Sequence, residues 1–173
     1  MRLDRKQKIE RSYSFMAKLM HWTFPGVFVY GVLIAVDEVE ELENSTVLLE
    51  EVIFTIIFLS LLLFRFVFMR RARTKMPSLD MPRNLVMLSR IVHLGMYFSL
   101  ALIGVTGLII GGLFHFGVKG GSVLEATLLF HEIIIWTFVN LMGLHIAGAI
   151  YHRFKRDGVW NAMVPILREG TGK

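Results

Sequence analysis

Four long, nearly uncharged runs constrain this 173-residue chain more than any other feature; they cover roughly 19–36, 45–69, 91–116 and 124–151. About 20 apolar residues cross the hydrocarbon core of a bilayer. Inside lipid each backbone N–H and C=O must find its partner within the protein, which leaves helices as the natural solution for such runs. Interruptions are few: Arg65 in the second run, and Glu50, Glu51 and Glu132 near run ends. Apolar residues make up 54% of the chain and charged residues only 19%, gathered in blocks rather than interspersed, which is not the composition of an ordinary soluble domain. The expected fold is all-α: an integral membrane four-helix bundle over residues 1–173 as a single domain. The first run does not read as a cleavable signal, because the acidic segment 37–44 follows it without a small-residue cleavage pattern.

The charged blocks give an orientation. Arg2, Arg5, Lys6, Lys8, Arg11 and Lys18 precede the first run; Arg70, Arg71, Arg73, Lys75, Arg83 and Arg90 lie between the second and third; Arg153, Lys155, Arg156, Arg168 and Lys173 follow the fourth. Four crossings put these segments on one side. The opposite loops hold Asp37, Glu38, Glu40, Glu41, Glu43 and Glu125, with Lys119 the only base. The positive-inside rule then places both termini in the cytoplasm. The net charge of +5 therefore reports topology, and no nucleic-acid partner is needed to explain it.

Cysteine is absent, which excludes disulfides, thiolate nucleophiles, cysteine-held iron–sulfur clusters or zinc, and covalently attached c-type haem. Any metal must be held by histidine, carboxylate or methionine. The histidines are His21, His93, His115, His131, His145 and His152. His131 and His145 are 14 residues apart in one run, so they share a helix face and sit about 21 Å apart along its axis. That spacing suits two haems stacked across a bilayer, and His152 continues the same face. A lone membrane histidine equally serves as an interhelical hydrogen-bonding group. Gly26, Gly31, Gly104, Gly107, Gly111, Gly112, Gly143 and Gly148 either open a slot for a flat macrocycle or let helices pack closely. His21 and His93 lie near the cytoplasmic ends of the first and third runs and His145 about 9 Å deep in the fourth; any two of these three could ligate one haem axially. Two neutral imidazoles make a low-spin iron suited to electron transfer.

Tyr13-Ser14 followed by His21-Trp22, His93-Leu-Gly-Met-Tyr97 continuing to Gly107, and His131-Glu132, Gly143-Leu144-His145 and Tyr151-His152-Arg153-Phe154 with Asp157-Gly158 together resemble the bacterial cytochrome b561 family over almost the whole chain. The resemblance implies a multi-pass, di-haem cytochrome b of the bacterial inner membrane that exchanges electrons with the quinone pool. Some members oxidise superoxide; related subunits anchor periplasmic dehydrogenases or hydrogenases. By the family pattern His21 and His145 ligate the cytoplasmic-side haem b, and His131 the periplasmic-side one, opposite a histidine near the start of the second helix.

The sequence departs from the pattern there. Counting back from Arg65, which looks like the family's arginine, the expected ligand position falls near Val52, beside Glu50 and Glu51. Three arrangements remain: one haem only, a five-coordinate haem on His131, or a substitute ligand, with His115 ahead of a glutamate. The family's proline before Gly107 is also missing. Arg65 is expected either to pair with a haem propionate or quinone oxygen or to snorkel to the interface. A quinone region is expected near His93, Tyr97, Arg65 and His152. Trp22 and Trp160 read as interfacial anchors. The acidic loop offers a docking surface for a basic periplasmic or membrane redox partner, and its field would repel superoxide. The expected function is therefore a b-type haem electron-transfer protein linking a donor, superoxide or a redox partner, to quinone; the alternative is a cytochrome b anchor subunit of a larger dehydrogenase or hydrogenase complex with one haem lost. A transporter built on discontinuous helices is not expected, since no paired repeat and no run broken in its middle by proline is read.

Overall fold

A computed structural model describes residues 14–73, 83–164 and 167. Its long helices are α1 (Phe15–Ile34), α2 (Ser45–Arg73), α3 (Arg83–His115) and α4 (Ser122–Lys155), followed by the short α5 (Val159–Met163). All four long helices are apolar and long enough to cross a membrane. The basic residues before Ser14, Tyr13, Lys75, Arg168 and Lys173 lie outside the described residues.

The helices run further than the apolar runs. α3 starts at Arg83 rather than near residue 91, and α4 continues to Lys155 rather than 151. Hydropathy marks only the lipid-embedded part, whereas the helical hydrogen-bond ladder propagates into the polar flanks at little cost. With 33 residues, α3 is about 50 Å long, well beyond the roughly 30 Å hydrocarbon layer. α1 contains Pro25 in its middle, and the helix continues through it.

Ends are set locally. The Ser14 hydroxyl accepts the Ala17 amide at 3.3 Å and starts α1. Between α1 and α2 a 3-10 turn, Val39–Glu43, is braced by the Glu41 carboxylate accepting the Glu38 amide. Its Leu42 is buried with Ile110, Phe114 and Leu124, and Val39 packs against the same cluster. Asn44 then accepts the Thr46 amide at 3.0 Å at the start of α2. α4 stops at Arg156, which takes the left-handed conformation, and Gly158 follows at φ 87°.

α3 and α4 form the most extensive pairing, α2 packs on α3, and α1 on α2. Aromatic side chains close the bundle: Phe24 against Phe58, and Phe28 against Phe138 at 4.8 Å between ring centres. Phe24, Phe58, Leu62, Leu100 and Phe138 make the central cluster. Many large apolar side chains, among them Leu33, Phe98, Ile133 and Phe154, stay exposed; in a helical membrane protein that surface faces lipid.

α5 folds back onto the start of α1. Lys18 Nζ donates to the Asn161 carbonyl and Trp22 Nε1 to the Met163 carbonyl. The beginning of α1 and the segment after α4 therefore share one end, as four crossings require. Trp160 lies over Arg153, and its Nε1 donates to the Leu167 carbonyl. Of the two tryptophans read as interfacial anchors, Trp22 thus also ties the chain's two ends together, and Trp160 braces the segment after α4.

The turn between α4 and α5 is held by Asp157, whose Oδ2 accepts from His152 Nδ1 at 2.7 Å and faces Lys155 Nζ at 3.5 Å. Partial burial raises the Asp157 pKa, but the His152 bond, the Val159 amide and the charges of His152 and Lys155 outweigh it, and the net shift is downward from 3.8. A carboxylate with a lowered pKa contributes stability that is fully present above its unfolded value and is lost as pH falls through the folded one. Thermal melts of the wild type and Asp157→Asn should therefore differ by a constant gap near neutral pH, and that gap should close below about pH 4. A gap that persists in acid would show that the turn does not depend on this charge.

Candidate functional site

Three histidines from three helices meet toward the end where α1 starts. His145 of α4 lies between His21 of α1, at 6.1 Å between ring centres and 56° between planes, and His93 of α3, at 4.8 Å and 82°. An imidazole nitrogen sits about 2 Å from a first-row metal that it binds, so two axial imidazoles on one iron hold their ring centres about 6 Å apart. The His21–His145 spacing fits this, and the His93–His145 spacing is too short. Among the described residues no three of His, Asp or Glu converge to cage a metal ion, but a haem asks the protein for only its axial ligands. Beside His145, a side-chain carbon at Gly148, one turn on along the same side of α4, would meet nothing within 4 Å, so there is open space on this side of the helix.

Hydrogen bonds define which ring nitrogen carries the proton. His93 Nδ1 lies 2.6 Å from the Ser89 carbonyl, which can only accept, so Nδ1 donates. His21 is the opposite case. Arg65 Nη2 lies 3.2 Å from His21 Nδ1, and a guanidinium can only donate, so Nδ1 accepts. Arg65 also donates from Nη1 to the His21 carbonyl at 3.3 Å and from Nε to the Tyr97 hydroxyl at 3.2 Å. Its guanidinium lies 4.9 Å from the Phe24 ring centre and 5.8 Å from that of Tyr97. The side chain thus turns inward between α1 and α3, away from the snorkelling arrangement.

His131 sits further along α4, half-buried. Thr106 Oγ1 lies 2.7 Å from the Leu102 carbonyl and 2.6 Å from His131 Nδ1. With its one proton on the carbonyl, the hydroxyl accepts from His131 Nδ1–H. Nε2 then keeps its lone pair, the form in which a neutral imidazole binds a metal. The ring packs against α3 at Gly107, where a side-chain carbon would be in ordinary contact with His131 Cε1 at 3.8 Å. One turn along α3, Val52 Cγ2 lies 3.1 Å from where a side-chain carbon at Gly111 would sit. The position where a second-helix histidine was expected is therefore closed by tight packing of α2 on α3.

The other expected residues do not join these groups. His115 is exposed at the end of α3, its ring 5.2 Å from Phe116. His152 bonds Asp157 instead of approaching Arg65 and Tyr97. The expected quinone-region set is thus divided: Arg65 with Tyr97, His93 with His145, and His152 apart. Sequence reasoning passed over Ser89 and Thr106, partners four residues before His93 and across the helix pair from His131; the i, i+4 spacing of Ser89 and His93 was the available signal, whereas Thr106 needed the α3–α4 packing. Gly31 and Gly104 act in packing alone, with a carbon at each only 2.6 Å from Phe54 and Leu59 respectively.

Replacing Thr106 by Val keeps the volume and removes the hydroxyl, leaving His131 Nδ1–H without its acceptor. An unpaired buried donor costs about 1–3 kcal/mol, so Thr106→Val should lower the thermal midpoint in detergent, and Thr106→Ser should restore most of it. Equal melts for all three proteins would remove Thr106 as the group that orients His131.

No curated protein and no solved structure gives a significant match to the chain. The family described as prokaryotic cytochrome b561 matches residues 12–165, a stretch that holds all four long helices and every histidine discussed above. With that match the chain belongs to the prokaryotic cytochrome b561 family, whose members are b-type haem proteins of membrane electron transfer.

Proposed function

We propose that this chain is a single-domain, quinone-linked cytochrome b of the bacterial inner membrane, with both termini cytoplasmic and one haem that His21 and His145 would ligate. The observation that carries the reading is the 6.1 Å spacing of those two rings, beside the open space at Gly148. When bound, the haem supplies reversible one-electron chemistry at its iron. The chain supplies the two imidazoles, a largely apolar surround and a nearby permanent cation, Arg65. Binding through His21 Nε2 requires that nitrogen's lone pair, so Arg65 Nη2 must leave Nδ1. The bond from Nη1 to the carbonyl can remain, because a different amino group makes it.

Tyr97 and Arg65 are the proposed quinone contacts. The Tyr97 hydroxyl accepts from Arg65 Nε and keeps its own proton to donate to a quinone oxygen. His93, with its Nδ1 engaged by Ser89, presents Nε2 as an acceptor for a quinol proton. Superoxide is a less suitable donor. The acidic loop carries Glu38, Glu40, Glu41 and Glu43, and Lys119 on that side is already paired with Glu43 at 3.0 Å, so the field there repels an anion. The same surface suits a basic redox partner. The anchor-subunit reading is favoured by one observation, the closed packing of Val52 against Gly111, which argues for a site lost on that side.

Pyridine haemochrome assay of the purified protein should give a haem-to-protein ratio near one, with a low-spin b-type difference spectrum that His145→Ala abolishes. A ratio near two, with the extra haem lost in His131→Ala, would replace this reading with a di-haem one. Tyr97→Phe should leave that spectrum unchanged and slow quinol-driven haem reduction by about 100-fold. Unchanged rates would remove Tyr97 from quinone chemistry, and no reduction by quinol in the wild type would favour the anchor reading.

A further inference from the structure

We propose that Arg65 is a positioning residue for His21, standing in for the backbone amide that Pro25 removes from α1. In a helix each carbonyl accepts from the amide four residues on. Four residues after His21 stands Pro25, which has no N–H. The His21 carbonyl, about two turns into an apolar span, thereby loses its usual donor, and an unmet polar group in an apolar surround is costly. Arg65 reaches across from α2 and donates Nη1 to that carbonyl at 3.3 Å. Its second amino group meets the same residue's ring at 3.2 Å; with His21 Nε2 bound to iron that contact would be given up, and the carbonyl bond is the one that positions His21.

The guanidinium is itself held. Tyr97 accepts its third donor, Nε, at 3.2 Å. The ring of Phe24, the residue before Pro25, lies under it at 4.9 Å, and Phe24 is only 7% exposed. A cation inside an apolar span is expensive unless partnered, and here all three of its nitrogens have acceptors. Pro25 and Arg65 are therefore complementary: the proline frees a carbonyl, and that carbonyl satisfies the arginine. A lysine, with a single ammonium, cannot reproduce the planar fork.

A double-mutant cycle on the full-length, haem-loaded protein tests this. Arg65→Met keeps the stem and removes the donors. Pro25→Ala returns the missing amide. Pro25→Ala should raise the thermal midpoint by a few degrees more in the Arg65→Met background than in the wild type, because only there does the new amide meet an otherwise bare carbonyl. Equal shifts in both backgrounds overturn the proposal. Arg65→Leu, which also removes every donor, provides the same cycle if the methionine variant fails to accumulate. The paramagnetic resonance of the low-spin iron is the second readout, and it rests on His21 being an axial ligand. Its anisotropy should change in Arg65→Met and return toward wild type in the double variant. Midpoint coupling with an unchanged resonance in all four proteins would support the clamp and overturn the ligand assignment instead.

Discussion

Backbone hydrogen bonding in an apolar medium governs this structure. Each N–H and C=O within the spans must be met by protein, and the chain answers with four long helices and with polar side chains that bond their own helix. Ser60, Thr137 and Asn140, all exposed, and the half-buried Thr127 donate to carbonyls four residues earlier, which lets them lie in an apolar surround at small cost. Pro25 is the exception that makes the rule visible. It breaks the ladder at one carbonyl, and the bundle brings an arginine from another helix to that place. The same carbonyl belongs to His21, so the repair of the backbone and the setting of the imidazole are one arrangement.

Small residues divide into two roles once the helices are placed. Gly31, Gly104 and Gly111 bring helices into close contact, since a side chain there would collide with Phe54 or Leu59 or crowd Val52. Gly148 opens onto space beside His145. Without a hydrophobic drive between helices, close approach of this kind supplies the dispersion energy of association. Tightness at one level and room at another are therefore produced by the same residue type, and Val52 against Gly111 shows how packing closes the level where a second-helix ligand was expected.

The histidines differ less in their own chemistry than in what faces their Nδ1. A carbonyl acceptor at His93 and a hydroxyl at His131 both leave Nε2 with its lone pair, while a permanent donor at His21 does the reverse. Charge is arranged at a larger scale. Basic residues gather at the end where α1 begins and α4 finishes, and acidic ones in the turn at Val39–Glu43. The inter-loop pair Lys119–Glu43 neutralises the one base among them, leaving that face negative.

Much of this was legible from residue order alone. Run length and backbone chemistry dictated four helices, and the 14-residue interval dictated that His131 and His145 share a face of α4, because both follow from the helical period. The pairing of His21 with His145 came from family resemblance, and the structure contributes a spacing that suits it. What needed tertiary structure was everything that depends on two helices at once: that Arg65 turns inward to His21 and Tyr97, that Thr106 meets His131, that His152 leaves the group for Asp157, and that His115 faces outward. Periodicity fixes a side chain's direction around its own axis, but which neighbour it meets depends on how the helices are rotated and staggered, and that is decided by close packing at residues such as Gly104 and Gly111 far from one another in sequence from their partners Leu59 and Val52.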